Sequence, residues 1–527
     1  MSKQPVRVLI LGGGYVAISA ARALRGAIRR GEAEVTVVSR ENYHVFHGFI
    51  SEMLTGRVQP GQILSPARRI FAPAKVHVGE IEAIDLQRQR VTTSRQLDGR
   101  RYELPYDYLL LCLGSVDNLE AYPGLAEHGF RLKTYDDCFR LRNHILTMFE
   151  QAEIESDPAE RQRLLTFFVA GGGYAGTEVA GELADYIRLL TSREYRAVRR
   201  EECRVVLVHP GETILPELYG REGSGHPRLV AYATRHLQRL GVEVLTGTRV
   251  AWSTPNEVGL SNGMRIPTRT LISAVGTRAA PILQSLPVEQ DERGRVVVGR
   301  TLQVPGFPHV LAAGDCAAVP HPKGGTCPPV GIFALEQGKR ASGNILRLMA
   351  GQEPRPFTFA GLGQAVSIGR RTAVAEAFGM EFKGLSSWLI WRLLLFSFIP
   401  TWDRRLRLLA DWLIWPLVGR DIVEMSVSDA DDYEISHHRF QPGEEIIGAG
   451  QFGRYLYLIS EGEVEVWADG HLQSTLGPGG RFGHARRDRR VQESFRARGS
   501  VQAVSVRADQ AHRLRAVLSS LGAAEGE

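Results

Sequence analysis

The stretch VLILGGGYVAISAARAL (residues 8–24) runs an apolar strand into three glycines and out into an apolar helix. TFFVAGGGYAGTEVAGEL (166–183) spells the same events again. One glycine-rich turn is weak evidence, because many strand-to-helix turns need glycine; two copies require a joint explanation. In the first copy, residues 6–11 are apolar throughout, as a buried parallel strand should be. Ala17, Ala20 and Ala21 let the following helix approach the sheet, and EVTVVSR (34–40) supplies the next strand. Gly12, Gly14 and Ala17 form the G-x-G-x-x-A dinucleotide fingerprint. Gly12 permits the turn, Gly14 admits a pyrophosphate to the backbone, and Ala17 keeps helix against strand. The phosphates would sit at the helix N-terminus, among unpaired N–H groups. The usual acid at the tip of the second strand is missing. Ser39 stands there, followed by Arg40 and Glu41, so Ser39 or Glu41 is expected to hold the ribose hydroxyls.

In the second copy, Gly171, Gly173 and Gly176 complete G-x-G-x-x-G, and CRVVLVHP (203–210) is the following strand. His209 occupies its tip, where an acid is usual for NAD, and no arginine beside it argues for a 2′-phosphate. Glu178, one turn before Glu182, either complements the positive helix end or acts at the nicotinamide. Two dinucleotide folds in one chain are most economically explained by electron transfer between two cofactors, flavin in the first and nicotinamide in the second. YDYLLLCLGS (106–115) and TLISAVGTR (270–278) read as strands leading into Gly114 and Gly276, suited to crossings between the units. The segment 294–317 ends in Gly314 and Asp315, a carboxylate placed for ribityl hydroxyls. CPPVGIFALEQGKRASGNI (327–345) then begins a helix near the flavin ring, with Pro329 at its start.

The 527 residues, 43% hydrophobic and 23% charged, suit a soluble globular chain of two to four domains. Five cysteines without a C-x-x-C exclude a disulfide framework, a zinc site and a redox dithiol, and no metal is expected. The N-terminus lacks a signal-peptide pattern, so the chain is expected in the cytoplasm. The net charge of +6 is scattered except near 392–420 and 481–498, which argues against nucleic acid as a partner.

Five of seven tryptophans fall within LSSWLIWRLLLFSFIPTWDRRLRLLADWLIWPLVGR (385–420). A membrane span needs about 20 apolar residues, and Arg392 and Pro400 interrupt this stretch. The expectation is a pair of amphipathic helices lying in the interface, with Arg404, Arg407 and Asp411 on a polar stripe and Leu408, Trp412 and Trp415 facing lipid. A homodimer interface or core packing is the other use of such helices. After VSDADDYE the pattern changes to short alternating strands with glycine turns, the composition of a small β-barrel or jelly roll.

Through GGGYVA, VTVVSRENYHVF, RLKTYDDCFRLRNHI, GGGYAGTEVAGELA, LAAGDCA, CPPVGIFALEQG and the Trp-rich tail, the chain from about 5 to 425 resembles the type II NADH dehydrogenases, non-pumping NADH:quinone oxidoreductases of the two-dinucleotide flavoprotein class. The resemblance implies two Rossmann-like α/β domains: an FAD-binding domain in two parts (1–160 and 291–380), an NADH-binding domain (161–290), and membrane-associated helices (381–425). It assigns Gly12, Gly14, Ala17, Ser39, Ile81, Gly114 and Asp315 to FAD, and Gly171, Gly173, Gly176 and Glu178 to NADH. Where the family carries Ala-Gln and then a Gln pair, this chain has Gly331-Ile332 and then Glu336-Gln337. With the first glutamine gone, Glu336 or Lys383 is expected to supply the polar contact to quinone. The implied enzyme is peripheral, on the cytoplasmic face of the cell membrane, and passes a hydride from NADH to FAD and electrons to quinone. Alternatives are a sulfide:quinone reductase-like flavoenzyme, for which Cys327 lacks an obvious partner, and a redox- or ligand-sensing regulator with vestigial catalysis. Residues 433–515 resemble a cyclic-nucleotide-binding domain through FQPGEEIIGAGQFGRYLYLISEGEVEVW and LGPGGRFG. His484 stands where that family needs a glutamate, and Arg498 is the candidate phosphate arginine, so a docking module without nucleotide is favoured over a cyclic nucleotide sensor.

Overall fold

The computed structural model describes residues 4–96, 98–219, 225–418, 422–423, 436–449, 455–483 and 493–507. Strand Val6–Leu11 lies inside a six-stranded sheet, flanked in parallel by Ala33–Ser39 and Tyr108–Leu111. Lys75–Val78 and Phe307–Ala312 extend it on either side, and Gln303–Val304 closes one edge antiparallel. Helix Tyr15–Arg29 buries Val16, Ala17, Ala20 and Ala21. Helix Gly331–Met349 crosses it so closely that a Cβ on Gly338 would stand 2.3 Å from the Val16 carbonyl oxygen. The first unit is thus built from two separated stretches of chain.

The second glycine stretch repeats the plan in a five-stranded parallel sheet, with strand order Gly129–Phe130, Thr270–Ser273, Thr166–Ala170, Arg204–Val208, Val242–Leu245. Gly129–Phe130 falls inside the range 1–160 given to the first domain. The chain crosses just after Gly114, where Ser115–Asp117 pairs with Thr277–Ala279, which follows Gly276. Helix Tyr135–Ile154 then packs on the second unit, its Phe149 ring stacked on Phe167 at 5.8 Å.

A three-stranded sheet, Gly363–Ser367, Ala373–Ala377 and Met380–Gly384, covers helix Tyr174–Arg193. A Cβ on Gly181 would meet the Ile368 backbone at 2.6 Å. Helices Leu385–Phe398 and Trp402–Val418 follow, and among the described residues no helix is long and apolar enough to cross a membrane. Their orientation corrects the sequence expectation. Leu408 is buried against the protein, and Asp411 accepts a hydrogen bond from the Gln62 side chain. Trp412 lies inward, its ring 3.8 Å from the Arg392 guanidinium carbon. The cause is Arg392, which is buried beside Glu52 as an ion pair and flanked by Trp388 and Trp412. A desolvated guanidinium gains from aromatic faces and draws the tryptophans to it. The exposed apolar side chains instead include Leu385, Leu389 and Leu393 on the first helix and Trp402, Leu406, Leu409 and Leu413 on the second. The Trp415 side chain lies outside the described part.

The C-terminal strands form two four-stranded antiparallel sheets around one core that includes Phe440, Ile447, Val464, Phe482 and Phe495. They dock on the second unit, where His438 stacks on His128 at 5.7 Å and the Arg439 N–H donates to His128 Nε2 at 3.4 Å. Arg498 is engaged by Glu463 at 3.3 Å. His484 lies outside the described residues.

Candidate functional site

Between the two α/β units opens a cavity of about 1710 Å³. The first unit contributes Asp315, held in the short turn Gly314–Cys316 at the end of strand Phe307–Ala312. The Gly314 N–H donates to Gln337 Oε1 at 2.7 Å, which fixes the turn. Ser115 Oγ donates to Asp315 Oδ2 at 3.1 Å, and Lys133 Nζ donates to Ser115 Oγ at 3.0 Å. A cation, a hydroxyl and a carboxylate are thereby ordered along one wall. His47 lines the same wall, its Nε2–H donating to the Lys133 carbonyl at 2.8 Å, and burial lowers its pKa. Burial also holds His44 neutral, at about 3, with Nδ1–H donated to the Gly13 carbonyl at 3.2 Å.

The second unit contributes Gly171, Gly173, Tyr174, His209 and Gly276. Glu178 lines the cavity between the units, accepting from the Ser367 N–H at 3.3 Å and hydrogen-bonded to Trp391. Burial, reinforced by Glu182 and Glu52 nearby, raises its pKa to about 8. A solvated residue complementing the helix end would not be so desolvated. Deeper in, Glu182 pairs with Arg57 at 3.2 Å and Arg57 also binds Asp185, so the charges below Glu178 are compensated. Above it the wall turns apolar, through Trp391, Leu394, Leu395 and Phe398 of helix Leu385–Phe398 and Ile332 of helix Gly331–Met349.

The other sequence candidates separate cleanly. Gln337 is buried and spent on Gly314, a supporting role beneath Asp315. Glu336 is absent from the cavity wall. Lys383 is absent too, because its strand pairs with Ala373–Ala377 and carries the ammonium over the Tyr232 ring at 5.5 Å. Gly12, Gly14, Ala17, Ser39, Arg40, Glu41 and Ile81 lie outside the cavity lining. Ala17 is buried under its helix, Ser39 is buried against Gly13, and Arg40 pairs with Glu80 at 2.6 Å, next to half-buried Ile81. Lys133, His47 and Trp391 were missed. Their stretches stand out in the sequence, but nothing in their spacing shows that three separate segments converge.

The first unit fits an FAD. A Cβ built on Gly14 meets nothing within 4 Å, leaving open space at the helix N-terminus where a pyrophosphate would pack. Gly114 is likewise open, and Asp315 lines the cavity with its Oδ2 held by Ser115. All five cysteines are free and buried, Cys327 alone lines the cavity, and among the described residues no cluster could hold a metal ion.

The family model for pyridine nucleotide-disulphide oxidoreductases matches residues 6–339. A type II NADH:quinone oxidoreductase, Ndh of Mycobacterium tuberculosis, is 30% identical over 422 residues, which cover 77% of this chain and 87% of that protein. The type II NADH:quinone oxidoreductase of Staphylococcus aureus is 26% identical over 392 residues, covering 73% and 92%. The solved structure of NDH2 from Plasmodium falciparum in complex with NADH superposes with a TM-score of 0.71 at 16% identity, over 80% of this chain and all of that one.

Proposed function

We propose a path for electrons through this chain, which belongs to the type II NADH:quinone oxidoreductase family. It is an FAD-dependent enzyme that oxidises NADH and reduces quinone. NADH lies on the second unit, its phosphates over Gly171 and Gly173 at the start of helix Tyr174–Arg193, while Gly176 packs on the Gly171 carbonyl and lets the helix approach the strand, and its nicotinamide is directed along the cavity toward Asp315. FAD, when bound on the first unit, supplies the two-electron centre between donor and acceptor. The chain's residues orient both partners: Asp315, Ser115 and Lys133 hold one wall, and the apolar stretch Leu394, Leu395 and Phe398 admits a lipid-soluble ring. Ile332 stands in place of a glutamine, and Glu178 is a buried carboxyl on the same cavity wall. With its pKa near 8, Glu178 is protonated at neutral pH and holds a proton that quinone reduction consumes. The observation that carries this reading is the single cavity joining the second glycine loop, the Asp315 turn and Glu178 beneath an apolar mouth. Steady-state NADH oxidation by the FAD-loaded protein tests it: turnover should rise with a short-chain quinone, and turnover indifferent to quinone overturns it.

The apolar side chains exposed on the two tail helices support peripheral attachment to a membrane, on the cytoplasmic face where NADH is supplied. A second copy of the chain covering the same face is the competing occupant, and vesicle flotation of wild type and of Leu393→Glu separates them. Arg498, paired with Glu463, supports a docking role for the C-terminal sheets over cyclic nucleotide binding.

A further inference from the structure

The end of the cavity that receives the adenosine half of NADH has no acid at the tip of strand Arg204–Val208. His209 cannot replace it. The Gly172 N–H donates to His209 Nδ1 at 3.3 Å, so the neutral ring carries its proton on Nε2 and offers a donor, whereas ribose hydroxyls need an acceptor for their protons. Burial lowers the pKa of His209 and keeps it neutral. The ring is also folded onto the loop: a Cβ built on Gly172 would meet its Cγ at 3.2 Å and one built on Gly211 its Nε2 at 3.0 Å.

A carboxylate nevertheless reaches this place from further along the chain. The Leu215 N–H donates to the Gly172 carbonyl at 2.7 Å, tying the loop after the strand back over the glycines. Leu215, a buried non-glycine residue, takes φ 53° to do so, a left-handed conformation that persists where the surroundings enforce it. The next turn, Pro216–Tyr219, carries Glu217 onto the cavity wall. Its Oε1 stands 3.2 Å from the point a Cβ on Gly173 would occupy. Burial raises the pKa of that carboxyl and its own backbone N–H is hydrogen-bonded to it; among the described residues no donor from elsewhere in the chain reaches it, so acceptor positions on it stay open to a ligand.

Resting on the assignment of NADH to the second unit, we propose that Glu217 is the specificity-determining residue for the dinucleotide, accepting the adenosine ribose hydroxyls of NADH and repelling the 2′-phosphate of NADPH. Arg249 lines the same cavity and would attract a phosphate, so discrimination depends on the carboxylate. Removing that charge weakens NADH and improves NADPH together.

The test compares wild type with Glu217→Gln, Glu217→Asp and His209→Ala, each checked for full FAD absorbance. Calorimetry with ADP-ribose and 2′-phospho-ADP-ribose reads binding without turnover, and anaerobic flavin reduction by NADH and NADPH reads KM apart from the saturated rate. Wild type should prefer the NADH forms. Glu217→Gln should cut that preference roughly 10- to 100-fold, the range for losing hydrogen bonds to a charged group. The change should fall in affinity and not in the saturated rate; Glu217→Asp should keep part of the preference and His209→Ala most of it. A preference unchanged within about twofold in Glu217→Gln, or lost in His209→Ala alone, overturns the proposal while NADH use stands. Wild type that binds neither ADP-ribose form and is reduced by neither nucleotide overturns the assignment of the second unit itself.

Discussion

The two glycine stretches build one turn and finish it differently. Gly12 and Gly171 take φ 119° and 112°, and a Cβ on either would stand 2.2 Å from a backbone carbonyl oxygen, that of Cys112 in the first unit and of Ala274 in the second. Counted from each first glycine, Ser19 and Glu178 occupy the same helical position. Ser19 returns its hydroxyl to the Val16 carbonyl at 3.1 Å beneath helix Gly331–Met349. Glu178 faces the cavity beside a sheet and Trp391. The covering helix sits directly over Ser19, whereas the covering sheet meets its helix closest at Gly181 and leaves Glu178 at the cavity. The fingerprint repeats in both units, and the covering element decides which helix turns a carboxyl toward the cavity.

The largest expected effect breaks the first unit alone. Gly14→Val should abolish FAD binding in a protein that still folds, because the added side chain meets only the space a pyrophosphate would fill, and Gly14 has ordinary extended backbone. Absorbance at the flavin band and far-ultraviolet circular dichroism read the two parts separately. Full flavin loading in Gly14→Val would move the FAD site elsewhere.

The matching change in the second unit should leave the flavin in place. At Gly173 an added Cβ meets Glu217 Oε1 at 3.2 Å, the free end of a flexible side chain, so the fold can accommodate Gly173→Val. NADH kcat/KM should fall by roughly 100-fold or more, since displacement of a bound substrate by about an ångström has that cost. Loss of FAD from this variant would mean that the two units are not independent binding sites.

A smaller effect is expected between the units. Glu178→Gln should slow reoxidation by quinone about tenfold or more, with NADH reduction of the flavin little changed, as removal of a proton donor predicts. The same residue makes stability depend on pH. Its native pKa of about 8 lies above the unfolded value near 4.5, so the native state holds the extra proton between those values and stability declines as pH rises through that window. Glu178→Gln should flatten the decline, and its melting temperature should gain on wild type steadily from pH 5 to pH 8. A constant difference would show that Glu178 is not desolvated as described.

Both glycine loops and the Asp315 turn were legible because their constraints are local: a positive φ, a missing Cβ, an apolar strand before and an apolar helix after. The tail was half legible. Helical spacing separates two faces of 402–418, but only the burial of Arg392 with Glu52, far apart in sequence, turns Leu408 and Trp412 inward. Lys383 and Glu336 stand away from the cavity lining for a related reason. A polar residue near a missing glutamine in sequence has no necessary path to the same cavity, and pairing of Met380–Gly384 with Ala373–Ala377 carries Lys383 to Tyr232. Glu217 was invisible because the strand-tip rule looks at His209, and the return of the loop through Leu215 is a backbone conformation no pattern of side chains announces.

The central claim, that one cavity passes electrons from NADH on the second unit to quinone by way of FAD on the first, is tested most directly by anaerobic double-mixing stopped flow. NADH is mixed with the FAD-loaded protein, and a ubiquinone or menaquinone analogue is added once the flavin band has bleached. The account predicts bleaching by one equivalent of NADH and recovery of the band at a rate that increases with quinone concentration. A band that NADH does not bleach, or one that recovers no faster with quinone than with buffer, would contradict it.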